Sequence, residues 1–439
     1  MTVSRRGVLG AGAAGLGIVL TGAVGPVFGG TANATGFGRG HRFTGYGDLV
    51  PDPAGICDLP KGFSYTRISA VGETLTGGGN VPGAHDGMAA FRSGRDTVLV
   101  RNHEIEPEDV EEDGVPTVPH VPGLTYDPEA PGGTTTLVLT GDRLRSHVVS
   151  LAGTANNCAG GPTPWNTWLT CEETDAVFGK PHGYVFEVDP FRRLRDREPV
   201  PLKALGRFEH EAVSIDPRTG VAYLTEDADT PFGLFYRFLP KRPNGGPGSL
   251  RAGGKLQALS VRGIADLMTV TRVGTRLRAT WVDVPDPDAT STPVRAQFAD
   301  GKVSRIRKCE GTYYSDGYIY VVSSYAETDD EEAYLHAGQV WRYEPKSATL
   351  ELVLHFQPDS PFDGPDNITI SSWGRIILCE DGNDDQHLVV VGDDGKPYPL
   401  ARSGSGSEFA GATFSPDGAY LYANIQEDGL TVAIKGPWR

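Results

Sequence analysis

Apolar and polar positions alternate along most of the chain in short runs that stop at Gly, Pro or Asp-Gly, and long stretches with helical spacing are missing. A period of two over a handful of residues marks half-buried strands. A two-strand unit recurs. Each copy opens on one or two small or chelating residues, runs through a short extended segment, turns, and continues in a second strand that ends on polar residues. Segment 85–91 leads to 98–104, Gly160-Gly161 leads to Cys171-Glu172-Glu173, and 210–215 turns into 222–227. In the same way 309–314 turns into 318–324, 366–370 into 376–381, and 409–414 into 420–426. A third strand follows three of these copies, at 183–190, 233–240 and 338–345, each ending at Pro as a partly exposed strand should.

Self-similarity at a period of roughly 45–50 residues, with several short strands per unit, predicts an all-β fold: a six-bladed β-propeller. Extra strand-like sequence at 269–273 and 278–284 leaves seven blades as an alternative, and a large β-sandwich is the remaining one. Helix is expected only at 261–268 and 331–336. The abundance of Gly (58) and Pro (33) agrees with turn-rich β structure, since both disfavour helix interiors. At 439 residues the chain can bury a sizeable core. The expected layout is a signal peptide over 1–34, a Gly-rich lead-in strap over 35–60 and a single propeller domain over 61–439.

The amino terminus changes the picture of where such a domain works. Arg5-Arg6 opens a twin-arginine pattern, a weakly apolar run follows, and Ala32-Asn33-Ala34 forms a small-residue cleavage site. The expectation is export of a folded chain by the twin-arginine (Tat) machinery to the periplasm or the medium, as a monomer without a stable membrane anchor. A formal charge of -16 does not suit nucleic acid as a partner. Five cysteines, Cys57, Cys158, Cys171, Cys309 and Cys379, are too few for a disulfide framework, although Cys158 with Cys171, or Cys57 with another, can pair after export.

In a propeller the innermost strands all point the same way along a central channel, so the residues that open them form a ring. The antiparallel second strands return to the same face. The ring then collects Asp86, Glu211, Glu310, Asp366 and Asn367 from first strands, and Glu104, Cys171, Glu172, Glu173, Asp227, Glu380 and Asp381 from second strands. Crowded carboxylates repel unless cations or protons offset them. Carboxylates and amide oxygens suit Ca²⁺, whereas a thiolate asks for a softer or more Lewis-acidic ion. Two kinds of metal are implied.

The blocks 160–173, His210-Glu211-Ala212, Cys309-Glu310-Gly311, Asp366-Asn367, Cys379-Glu380-Asp381-Gly382 and 409–426 resemble the PhoX-type alkaline phosphatases, over nearly the whole mature chain. The resemblance implies a secreted six-bladed propeller that hydrolyses small-molecule phosphate monoesters with two ferric ions (Fe³⁺), several Ca²⁺ and a bridging oxo group. It implies that Cys171 is the iron ligand, that Glu211 and Glu310 bridge, and that the remaining acids bind Ca²⁺. Basic residues for the phosphate are expected at Arg307 and Lys308, with Arg101 behind them. Two rival classes stay open: a Ca²⁺-dependent propeller lactonase or esterase with His85, His103 or His210 as base, and a non-enzymatic calcium-stabilised binding propeller. A thiol ligand argues against both.

Overall fold

The computed structural model describes residues 42–194, 198–324, 338–357, 360–382 and 385–439, of which Arg42–Arg439 form one compact unit. The expected signal peptide, the first residues of the strap and the helix expected at 331–336 lie outside the described residues.

Three short strands come first: β1 (Leu49–Val50), β2 (Cys57–Pro60) and β3 (Ser64–Ala70). Six groups then follow among the described residues. The first is β4 (His85–Ser93), β5 (Asp96–His103), β6 (Gly132–Thr140) and β7 (Arg143–Thr154), with helix α1 (Pro107–Glu112) between β5 and β6. The second is β8 (Gly160–Pro162), β9 (Trp168–Cys171) and β10 (Val185–Val188). The third is β11 (His210–Ile215), β12 (Ala222–Glu226), β13 (Phe235–Pro240), β14 (Gly254–Val261) and β15 (Arg276–Asp283). The fourth is β16 (Cys309–Ser315), β17 (Tyr318–Ser323), β18 (Gln339–Glu344) and β19 (Thr349–His355). The fifth is β20 (Pro365–Ile370), β21 (Ile376–Glu380), β22 (His387–Val391) and β23 (Pro397–Ser403), and the sixth is β24 (Phe409–Phe414), β25 (Leu421–Ile425) and β26 (Leu430–Lys435).

Every group is an antiparallel meander, and the leading strands β4, β8, β11, β16, β20 and β24 are neighbours in that order, with β24 returning to β4. This is a propeller-like ring. The chain closes it by lending β3 to the outer edge of β26, while β2 and β1 extend the fifth sheet beyond β23. Segment 240–305, offered by the sequence as a seventh blade, instead lengthens the third group: β14 pairs with β13, β15 with β14, and β15 also reaches β19. The helix expected at 261–268 is the end of β14, a turn and a short 3₁₀ turn at Leu267–Thr269.

Strand alternation produces the seams between groups. Along β19, Leu350, Leu352 and Leu354 are buried while Glu351 turns outward to meet Arg342 at 3.0 Å. Each seam has its own apolar cluster: Phe91, Trp168 and Phe186 between the first and second groups, Leu169, Val213 and Phe238 between the second and third. Phe235, Val321 and Trp341 fill the next, followed by Val340, Ile368 and Leu378. Cys379, Phe409 and Val432 fill the fifth seam, and Leu99, Leu137 and Tyr422 the sixth. Burying both faces of each small sheet in this way needs no second layer. Close approach is tightest where the second group meets the third: a Cβ on Gly161 would lie 1.6 Å from the carbonyl oxygen of Val213, so only glycine fits.

Candidate metal centre

Four leading strands share one irregularity at their first residues. The pairing with the second strand slips between His85 and Met88 in β4, His210 and Val213 in β11, Cys309 and Thr312 in β16, and Pro365 and Ile368 in β20. A bulge of this kind leaves extra residues without a ladder partner and re-aims their side chains. The residues so released are led by Asp86, Glu211, Glu310 and Asp366. In β24 the slip falls between Ala410 and Thr413, and the corresponding residue is Gly411, with φ +61. A Cβ there would stand 2.5 Å from the carbonyl oxygen of Asp86, which requires glycine. One device, repeated around the ring, thus points four acids inward.

Two ligand sets result. Cys158, Glu173 and Glu211 each place a ligand atom within 4.8 Å of the others, and so do Glu211, Glu310 and Asp366. Glu211 belongs to both. Cys158 lies in the irregular segment ahead of β8, with its thiol 3.2 Å from the carbonyl oxygen of His210. Its main chain is gripped by Asn102, and its neighbour Asn156, at φ 46, donates to the carbonyl oxygen of Glu173 at 2.9 Å. Ser324 donates to Glu310 Oε1 at 2.6 Å.

A second acidic pair flanks these sets. Gln426 Nε2 donates to Asp86 Oδ2 at 3.1 Å and to Glu104 Oε2 at 2.6 Å, while Asp86 Oδ1 is buried with no hydrogen-bond partner among the described residues. Burial, and then the charge of Glu104, pushes the Asp86 carboxyl well above the usual carboxylate range. Burial followed by Asp366 and Glu310 does the same to Glu211, and burial with Glu211 beside it pushes up the Cys158 thiol. Cations bound among the groups would favour the ionised forms and so offset both effects. An orphaned buried carboxylate oxygen and a donor set of several carboxylates with one thiol fit a cluster of metal ions.

The structure sorts the residues singled out in the sequence. Asp86, Glu104, Glu173, Glu211, Glu310 and Asp366 are brought together. Cys171 is not the thiol among them: both cysteines border the same core seam, but Cys158 is the one whose sulfur lies with Glu173 and Glu211. The reason is register, since Cys171 is the last paired residue of β9, opposite Val185. Glu172 is spent on structure, accepting from Ala155 N at 3.1 Å, Gly183 N at 2.9 Å and Tyr184 N at 3.0 Å, and meeting His182 Nδ1 at 2.6 Å. Glu380 accepts from Asp363 N at 2.6 Å and pairs with His387 at 2.8 Å, and Asn367 Oδ1 accepts from Gly411 N at 2.6 Å. Asp381 contributes its backbone N–H to Gly364 O and lies outside both ligand sets.

Of the expected basic residues, Lys308 borders the acids, with Nζ 2.8 Å from Asp227 Oδ2 and 3.8 Å from Glu310 Oε1. Arg307 turns to Asp266 at 2.9 Å and stacks over Phe232. Arg101 is fully buried in the first group, against side chains of β3 and β26. All five cysteines are free, so neither suggested disulfide forms. Sequence reasoning passed over Cys158 and Gln426 as ligand-side residues; the signal for the first was an Asn-Asn pair just before a Gly-Gly strand, where the chain can turn back on itself.

Among described residues no helix is long and apolar enough to cross a membrane. No curated protein sequence matches the chain. Among solved structures, Pseudomonas fluorescens PhoX in complex with vanadate, a transition state analogue, is similar over 87% of this chain and 96% of that one, at 16% identity and a TM-score of 0.65. A gluconolactonase from Xanthomonas campestris, XC5397, shares 13% identity over 91% of this chain and 100% of its own, with a TM-score of 0.45, too weak a likeness to bear on function. The family described as "Alkaline phosphatase PhoX" matches residues 44–148 and 140–429. With nearly all of the described chain inside that match and the same fold in a solved member, the chain belongs to the PhoX alkaline phosphatase family.

Proposed function

We propose that the chain is a metal-dependent phosphoric monoester hydrolase whose reaction takes place where Glu211 joins the two ligand sets. That sharing is the observation that carries the reading, because one carboxylate common to two three-residue sets is the arrangement that holds two ions side by side. Cys158, a soft donor, with Glu173 and Glu211 on one side and Glu310 and Asp366 on the other, suits ferric ions with a bridging oxo group. Asp86 and Glu104, hard oxygen donors only, suit Ca²⁺. Such ions, when bound, supply charge to draw the phosphoryl oxygens in and a nucleophile active near neutral pH.

The chain's own residues do the rest. Ser324 fixes the rotamer of Glu310. Lys308 brings an ammonium to the rim, where it can meet a phosphoryl oxygen as negative charge grows on the equatorial positions. Its φ of 44 sets the backbone that presents it just before Glu310. The vanadate held by the Pseudomonas fluorescens relative is a mimic of a phosphoryl group in flight, which supports phosphate esters as the substrate class. Export by the twin-arginine route through Arg5-Arg6, release to the periplasm or medium, and a monomeric state complete the reading. A chain exported folded can carry ions acquired beforehand.

The test is elemental analysis of natively exported protein together with hydrolysis of p-nitrophenyl phosphate. Iron and calcium in the same active sample are expected. Protein that is folded and calcium-loaded, cleaves a lactone and leaves the phosphate ester intact would overturn the reading.

A further inference from the structure

Arg101 carries a guanidinium in the interior; among the described residues none of its hydrogen bonds goes to a carboxylate, and Glu73, the acid whose charge reaches it, pairs with Arg67 at 3.2 Å. Its acceptors are all neutral. Nη1 shares its two N–H groups among Thr431 Oγ1 at 2.6 Å, His85 Nδ1 at 3.1 Å and Ser69 Oγ at 3.3 Å; Nη2 donates to His147 Nε2 at 3.3 Å and Thr135 Oγ1 at 3.4 Å. A guanidinium cannot accept, so each imidazole nitrogen facing it presents a lone pair. His85 must therefore keep its proton on Nε2, where it meets the carbonyl oxygen of Pro82 at 3.0 Å. His103 donates from Nδ1 to Gly83 O at 2.8 Å and accepts at Nε2 from the Thr135 hydroxyl at 2.9 Å. Thr135 relays between Arg101 and His103. With the proton on Nε2 of His85 and on Nδ1 of His103, each of these contacts joins a donor to an acceptor, and only the buried Arg101 Nε is left without a partner among the described residues.

The two outer imidazoles stand directly before two acids. His85 and His103 are cross-strand partners, edge to face with ring centres 5.3 Å apart. Asp86 and Glu104 are the next residues, and both accept from the Gln426 amide, with Asp86 Oδ1 buried and unpartnered among the described residues. We propose that Arg101 is a positioning residue: through His85, Thr135 and His103 it holds Asp86 and Glu104 in the spacing that takes one divalent cation, and it does not contact substrate. Fixed imidazoles in front of the β4 bulge leave the two carboxylates little freedom to separate, although they repel each other. Ser69 on β3 and Thr431 on β26 fasten the same guanidinium to the sixth group, which also supplies Gln426. The inference rests on the reading that the acids bind cations.

Thr135→Val, which keeps the shape and removes the relay, and Thr135→Ser, which restores it, are the informative variants; Arg101→Lys keeps the charge and loses the fork. The measurement is Ca²⁺ binding by calorimetry to chelator-treated protein, with melting curves at a series of Ca²⁺ concentrations and KM for p-nitrophenyl phosphate on reloaded enzyme. Thr135→Val and Arg101→Lys are expected to weaken Ca²⁺ binding about tenfold, as residues behind metal ligands do, with KM at saturating Ca²⁺ unchanged and Thr135→Ser close to the parent. Three results overturn the proposal. Equal melting losses with and without Ca²⁺ and unaltered affinity would make the network merely structural. A raised KM with unaltered Ca²⁺ affinity would return Arg101 to the substrate. A parent protein indifferent to Ca²⁺ would remove the cation reading as well, whereas the first two results leave that reading standing.

Discussion

Asn102 holds Cys158 by its main chain: the amide Nδ2 donates to the carbonyl oxygens of Cys158 at 2.9 Å and Ala159 at 2.7 Å, while Oδ1 accepts from Trp168 Nε1 at 2.8 Å and Thr170 Oγ1 at 2.9 Å. All four hydrogen-bonding places of a buried amide are filled. Asn102→Ala takes the acceptor from the buried Trp168 indole, at a cost of about 1–3 kcal/mol unless water enters, while the two carbonyls keep Gly87 N and Cys171 N and the Thr170 hydroxyl keeps Asn157. The expected outcome is a melting temperature lower by several degrees and at least a tenfold loss of phosphatase activity. Thermal melts and assays on the purified variant check it.

The two thiols of this region separate by function. Cys158→Ser should lower iron content and activity together, with melting of the metal-free protein little changed. Cys171→Ser should keep both and lose about 1–3 kcal/mol of stability, because a hydroxyl replaces a thiol in an apolar seam. Metal analysis, kinetics and denaturant melts on the pair decide it. Full iron in Cys158→Ser would remove the thiol from the centre.

Chelation should cost stability as well as turnover. Asp86, Glu211, Glu310 and Asp366 come from four different groups of the ring, and burial with mutual repulsion already opposes their ionisation. Ions that bind only the closed ring stabilise it by mass action. A chelator is expected to lower the melting temperature, and added Ca²⁺ to restore it. An unmoved melting curve with lost activity would confine the ions to a local catalytic role.

Acid should loosen the seam between the first and sixth groups. Burial and the neighbouring Arg101 charge hold the His147 pKa down at about 2, far below the 6.5 of an exposed imidazole. Unfolding lets the ring take a proton, so this contribution is fully present above pH 6.5 and is lost as pH falls below it. The slope is about 1.4 kcal/mol per pH unit for each imidazole so held. His147→Gln, whose amide oxygen can still accept from Arg101, should flatten the fall in melting temperature between pH 6.5 and 4.5.

The ring of acids was legible because its cause is local: an acid after the first residue of a strand, followed by a turn and a return strand, recurs at Asp86, Glu211, Glu310 and Asp366. Strand alternation likewise exposed the all-β character. What it could not tell apart were neighbours at a strand's end. Cys171, Glu172 and Glu173 are consecutive, yet one faces a core seam, one is claimed by three backbone N–H groups and a histidine, and one reaches the centre. Cys158 escaped because the segment ahead of β8 is irregular, and its place depends on Asn102 and Asn156 reaching it from elsewhere. Arg101 looked like an anion binder because an arginine near acids usually is one; only its neutral partners, drawn from five strands besides its own, reveal the other use.

Because β3 completes the outer edge of the sixth group, residues near the start of the chain and residues near its end are stitched into one sheet. A chain emerging from the ribosome cannot make that sheet until β26 has been synthesised. The acids of β4 wait for their counterparts on β16 and β20, and Gln426 arrives last of all. No nascent fragment offers the whole set of ligands. Ion capture therefore follows ring closure, and the ions taken are those available where the ring shuts.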